Sequence, residues 1–317
     1  MFQPNQIPGM TEPVEQEMLT ALAASDFVAR NGAIVEFGTF FGRSTACLVN
    51  GAARWWSPES GKPAVHTFDS FGCADGQGFA VHVRSFAQMG NVGHLVKAGG
   101  GRADFRAVYD HFVGAAESQG ILKSTTTEMR DAVPPDDRIA LMHIDCPKFY
   151  DEMKYILFRF FPALAPGAVV IFQDYFYHWS ATLIAATQLL TERGIFRLEQ
   201  SRASSAMGTI LRTPDIREML ELDLAMTGSS VVALIDRAIE AAKKASVDRP
   251  AQFIPRLHLA KVQYLWDKGE FAKAQQAFID MIGQSEGNLI APVFTDFLEL
   301  MRHGFSIRRL YELDHHH

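Results

Sequence analysis

Five short apolar runs punctuate the first two thirds of the chain, and four of them carry or run into an acidic side chain at their carboxyl end. Residues 33–37 hold Glu36, 64–68 close on Asp69, 138–144 run into Asp145, and 168–172 run into Gln173 and Asp174; the remaining run, 94–98, leads into Gly99, Gly100 and Gly101. Runs of this length, bounded by turn residues and separated by segments with helical spacing, read as buried strands alternating with helices. That alternation predicts an α/β fold with a doubly wound, mostly parallel sheet, whose ligands bind beyond the carboxyl ends of the strands. One acid at a strand end is ordinary. Acids at four of them point to a ligand site.

The first of these ends reads Glu36-Phe37-Gly38-Thr39-Phe40-Phe41-Gly42, followed by the helical pattern RSTACLVNGAARWW. Glycines let backbone approach a ligand at a helix start, where free N–H groups point outward. Their spacing is wider than the GxGxxG that a dinucleotide pyrophosphate requires, so a nucleotide-like ligand without phosphates fits better. Asp69 is placed to accept hydrogen bonds from ribose hydroxyls. A helix is expected over 14–30 within an N-terminal segment 1–29, and another over 178–193. Two β-like runs, 195–200 and 206–212, follow as an edge hairpin, and helical stretches near 216–226, 229–246, 251–268, 270–283 and 289–303 follow Pro214. The boundaries expected are therefore an α/β domain over 30–213 and a helical extension over 214–313. Residues 256–282 have the look of one tetratricopeptide-like hairpin, with small and aromatic residues at Ala260, Tyr264, Gly269, Phe271, Ala274 and Phe278. The segments 70–93 and 102–137 are long for connections and read as lids over an acceptor pocket, with His82, Arg84 and His111 as possible lining.

Composition narrows the function classes. The 317 residues carry 30 Lys plus Arg against 36 Asp plus Glu, a net charge of −6, with no basic run able to neutralise several phosphates, so nucleic acid is not the expected partner. Cys47, Cys73 and Cys146 are odd in number and lack CxxC spacing, as in a reducing compartment. No apolar run reaches membrane-spanning length and the first residues lack the pattern of a signal peptide; a cytoplasmic protein without membrane contact is expected. His315, His316 and His317 read as a tag remnant over 314–317 and enter no metal argument.

The runs VEFGTFFGRST, HTFDSFG, LMHIDCPKFYDEM and LAPGAVVIFQDY, with a following helix ending in TERG, resemble the macrocin O-methyltransferase family, class I methyltransferases that act on sugars and related natural-product scaffolds. The likeness covers about residues 30–213. It implies a seven-stranded class I sheet with its last strand antiparallel, and an S-adenosylmethionine site made by Glu36, Gly38, Thr39, Gly42, Ser44, Asp69 and Ser70. It also implies Mg²⁺ at the positions of Asp145, Gln173 and Asp174. The chain departs from the family in Gln173, a neutral and poorer ligand for a hard cation than a carboxylate, and in Pro147-Lys148, which replace a second acid.

Methyl transfer to a hydroxyl needs alignment and a proton acceptor. Asp145 and His178 are the candidates, His178 as the more exposed histidine; His143, inside a strand, reads as a core histidine. Tyr175, Tyr177 and Trp179 offer an aromatic wall, or plain packing. The expected partners are a small-molecule acceptor and, through the C-terminal helices, a second copy of the chain. Two other readings stay open: an oxygenase-type activity on the same fold, and a non-catalytic interaction module.

Overall fold

A computed structural model of the chain describes residues 1–74, 78–146, 149–228, 230–245, 247 and 249–284. Its elements are α1 (Pro13–Ala23), α2 (Asp26–Asn31), β1 (Ala33–Phe37), α3 (Arg43–Ala52), β2 (Val65–Asp69), β3 (Gly72–Ala74), α4 (Phe79–Met89), β4 (Lys97–Gly99), β5 (Arg102–Asp104), α5 (Arg106–Gln119), β6 (Leu122–Thr126) and β7 (Ile139–Ile144). They continue with α6 (Tyr150–Arg159), β8 (Leu164–Phe172), α7 (Ala181–Glu192), β9 (Phe196–Arg202), β10 (Ser205–Ile210), α8 (Ile216–Thr227), α9 (Val231–Lys244), α10 (Pro250–Asp267) and α11 (Phe271–Gln284).

Seven strands form the main sheet in the order β6-β2-β1-β7-β8-β10-β9. β1 pairs in parallel with β2 and β7, β2 in parallel with β6, and β10 antiparallel with β9. This is the expected doubly wound class I sheet with helices beyond it. The described residues divide into two compact units: 1–146 with 163–170, and 149–162 with 171–284.

In the first unit, β1 and β7 are buried along their whole length, as strands covered on both faces must be, and their residues are accordingly apolar apart from Glu36 and His143. α1 ends at Ala23, and Ser25 caps α2 by accepting from the Val28 N–H at 3.3 Å, so the single helix expected over 14–30 is two. α3 lies close on α1: a Cβ at Gly51 would sit 2.5 Å from the Thr20 carbonyl oxygen. The strand expected over 94–98 is corrected. Gly93–Leu95 is a 3-10 turn, and the three-residue β4 belongs with β3 and β5 to a small separate antiparallel sheet. The third parallel strand is instead β6, on the edge, within a segment expected to be a lid; residues 102–137 hold β5, α5 and β6. Segment 70–93 holds β3 and α4.

In the second unit, α7, α8, α9 and α10 bury apolar faces around Leu183, Leu222, Ile235 and Leu257. α10 and α11 form a helical hairpin whose core is Val262, Leu265, Ala274 and Ala277. The helix expected over 289–303 lies outside the described residues. Among those described, no helix is long and apolar enough to cross a membrane.

Candidate functional site

The turn after β1 is held by two carboxylates. Gly38 (φ 77°) and Gly42 (φ 92°) take left-handed conformations that a side chain disfavours, and a Cβ at Gly38 would meet the Cys146 backbone nitrogen at 2.9 Å. Between them Phe40 also has positive φ (48°), a strained position for a bulky residue. Its ring stacks on Phe41 at 4.0 Å and meets Phe79, Phe86 and Phe105. Packing and hydrogen bonding together hold the strained backbone. Asp69 Oδ2 accepts from the Thr39 N–H (2.7 Å), the Thr39 hydroxyl (3.2 Å) and the Phe40 N–H (3.2 Å), while Oδ1 accepts from the Phe71 N–H (2.7 Å). Burial pushes the Asp69 carboxyl up from the ordinary carboxylate range, and these hydrogen bonds oppose the shift by stabilising the anion.

Glu36 is fully buried. It accepts from the Thr45 hydroxyl at 2.5 Å and pairs with His143 Nδ1 at 3.2 Å. Its carboxylate thus ties β1 to α3 and β7. His143 is the hydrogen-bonded core histidine expected. Thr39 and Ser44 are buried as well, whereas Asp69 and Ser70 are partly open. Ser70 donates to the Gly72 carbonyl at 3.1 Å. Oδ1 of Asp69, with a single donor from the protein, keeps lone-pair capacity for a ribose hydroxyl, so this donor set fits the cofactor that the fold implies.

The turn after β8 lies in the second unit. Asp174 has φ 60°; its carbonyl accepts from the Ser180 hydroxyl (2.6 Å) and the Tyr177 N–H (3.0 Å), and its carboxylate takes a long contact of 3.5 Å from the Ser204 hydroxyl. Gln173 Oε1 accepts from the Ser205 hydroxyl at 3.0 Å. Tyr177 is sandwiched between Trp179, stacked at 4.3 Å, and the Arg256 guanidinium at 4.6 Å, and Tyr175 is buried, so these aromatics serve packing here. His178 is buried, not exposed as expected, because α10 packs over its 3-10 turn. Burial, with the Arg256 charge adding to it, pulls its pKa down to about 3. Among the described residues its Nδ1 and the Trp179 indole nitrogen have no hydrogen-bond partner.

Residues 35–175 match the family model of a methyltransferase domain. Over that stretch the chain is similar to a methyltransferase domain. With the sheet order it bears out the resemblance read from the sequence. Among solved structures, similarity extends to CalS11, a TDP-rhamnose 3'-O-methyltransferase of calicheamicin biosynthesis (19% identity, 62% of this chain and 81% of that one, TM-score 0.43). It extends also to the O-methyltransferase NovP (15%, 65% and 83%, TM-score 0.46) and to TomG of Streptomyces achromogenes, crystallised with S-adenosylmethionine (15%, 65% and 82%, TM-score 0.32). No curated protein matches the sequence.

Within the matched residues 35–175, the structure brings Glu36, Gly38, Thr39, Gly42, Ser44, Asp69 and Ser70 to one strand-end region. Asp145, half-buried, follows β7 in the same unit, its N–H donating to the Phe37 carbonyl at 2.8 Å. Gln173, Asp174 and His178 belong to the other unit. Among the described residues no group of three or more His, Cys, Asp or Glu side chains could hold a metal ion, and the amide of Gln173 is already used by Ser205. The expected Mg²⁺ set therefore finds no support. Pro147 and Lys148 lie outside the described residues. Sequence reasoning missed Thr45 as the partner of Glu36; an hydroxyl on the first turn of the helix after an acid-bearing strand is the signal that could have found it. Tyr109 was missed too: its hydroxyl lies 3.2 Å from that of Thr67 and 2.9 Å from that of Ser124, tying α5 to β2 and β6.

Proposed function

We propose that the chain is a cytoplasmic S-adenosylmethionine-dependent O-methyltransferase acting on a hydroxyl of a sugar or another small natural-product scaffold. The observation that carries the reading is the turn after β1: two left-handed glycines and the β2 carboxylate meet within a region matched as a methyltransferase domain. In it, Asp69 and Ser70 hold the ribose edge of the cofactor, and the Gly38–Gly42 backbone lies against it. Glu36, Thr39 and Ser44 act indirectly, by fixing that backbone. The cofactor supplies the electrophilic methyl group; the chain aligns the acceptor and takes up its proton.

Of the two candidate bases, Asp145 is favoured. A histidine held at about 3 accepts a proton poorly at neutral pH, and proton removal concerted with transfer is worth roughly 10²–10⁴ in rate. No metal enters this reading. The domain limits remain those expected from the sequence, 30–213 for catalysis and 214–313 for the helical extension.

Calorimetric titration with S-adenosylmethionine tests the cofactor, and turnover of Asp145→Asn and His178→Ala tests the base. Asp145→Asn is expected to keep cofactor affinity and lose about two orders of magnitude in turnover, with His178→Ala far milder. Absence of cofactor binding by the intact chain would favour the interaction-module reading.

A further inference from the structure

Helix α8 has two apolar faces, and among the described residues only one of them is covered. Met219, Leu222 and Met226 are buried against α6 and α7. On the opposite side Ile216 (65% exposed), Leu220 (51%) and Leu224 (72%) form a stripe spaced by four residues, extended at its start by Leu211 (43%). A surface helix ordinarily has one apolar stripe and a charged back. The adjoining α9 follows that rule: Val231, Leu234, Ile235, Ala238, Ile239 and Ala242 face inward, while Asp236, Arg237 and Glu240 are exposed. A helix apolar on two sides has the pattern of one lying between two layers.

We propose that the missing layer is α8 of a second copy, packed antiparallel about a two-fold axis at Leu220. The stripe is complementary to itself in that arrangement. Leu220 meets the partner's Leu220, and Ile216, four residues before the axis, meets the partner's Leu224, four residues after it. An isologous contact requires such reciprocity. The charges agree. At 100° per residue Arg217 and Glu221 lie on the same flank of the stripe, and a two-fold of this kind returns each flank to itself. Arg217 of one copy therefore stands beside the partner's Glu221, and the pairing occurs twice. Glu221, half-exposed and paired with Arg193 at 2.8 Å, keeps oxygen lone pairs for a second cation. One helix pair buries less than a standard interface, so dissociation on the order of micromolar is expected.

Sedimentation velocity of the full chain, from low to high micromolar concentration, tests the proposal. A monomer–dimer equilibrium is expected. Leu220→Asp, which puts two carboxylates on the axis, is expected to weaken it by about 100-fold or more. Arg217→Glu is expected to weaken it by about tenfold, and adding Glu221→Arg to restore it. Because a failed fold would also abolish association, each variant is checked by circular dichroism, and Leu220→Cys, oxidised, is expected to give a disulfide-linked dimer. Ile279→Asp, on the exposed face of α11, is expected to leave the equilibrium unchanged. A chain monomeric at every concentration, a dimer indifferent to Leu220→Asp, or a dimer dissociated by Ile279→Asp overturns the proposal.

Discussion

The turns after β1 and after β8 stand at equivalent places in the strand–helix repeat, yet they are finished differently. In the first, both acids hold several donors: buried Glu36 pairs with Thr45 and His143, and partly open Asp69 accepts from three backbone N–H groups and a hydroxyl. In the second, two neighbouring buried nitrogens, His178 Nδ1 and Trp179 Nε1, find no partner among the described residues. A stranded buried polar atom costs about 1–3 kcal/mol, whereas a satisfied one stabilises modestly until its partner is removed. The contrast teaches where substitution hurts. In the first turn, removing a polar group strands what it held; in the second, it relieves a cost already present.

Four substitutions sharpen or break that contrast. Glu36→Leu is expected to do most damage, about 3–5 kcal/mol, because it leaves Thr45 and His143 buried without their acceptor; urea denaturation measures it, and a loss under about 1 kcal/mol would show the network to be dispensable. Asp69→Ala comes next. Its loss of stability is expected at about 2–3 kcal/mol, with cofactor affinity falling by about 1.5–3 kcal/mol if the ribose is held there. Calorimetry separates the two effects, since Asp69→Asn keeps an acceptor oxygen for the turn but not its charge; unchanged affinity in both variants removes the ribose role.

His178→Phe is expected to go the other way and raise stability at pH 7 by up to about 1 kcal/mol. Its pH dependence has a definite sign. The folded pKa of about 3 lies below the unfolded value near 6.5, so between those values the unfolded chain binds the extra proton. The stability tied to neutral His178 is whole above about pH 6.5 and is lost as pH falls toward 3. Melting curves across that window are expected to be flatter for His178→Phe than for the natural chain, and parallel curves would count against a buried neutral imidazole. Gln173→Asp should matter least, under about 1 kcal/mol, because the Ser205 hydroxyl still finds an oxygen; a larger loss in urea would mean that the amide nitrogen is needed as well.

What was legible in the sequence follows from the same physics. β1 and β7, buried on both faces, show continuous apolar runs and could be placed within a residue. β6 could not: at the sheet edge its sequence LKSTT carries one buried apolar residue, and no inner-strand pattern survives. Asp69 and the two glycines were legible as a turn with an acid beside it. That Glu36 points inward was not, because its partner His143 lies 107 residues away in sequence. His178 was misjudged for a similar reason, since the helix covering it begins some seventy residues later, at Pro250, and nothing local announces it.

The strand β8 belongs to the first unit as far as Val170 and to the second from Ile171. On the ribosome, then, the first unit is not finished when Cys146, the end of its long N-terminal stretch, has been made. It waits for a stretch encoded after α6, and that stretch emerges already joined to the beginning of the other half. A nascent chain stalled between the two would present β7 as a bare apolar edge, an attractive target for chaperones. Ribosome-bound fragments ending before and after residue 170 are therefore expected to differ sharply in protease resistance.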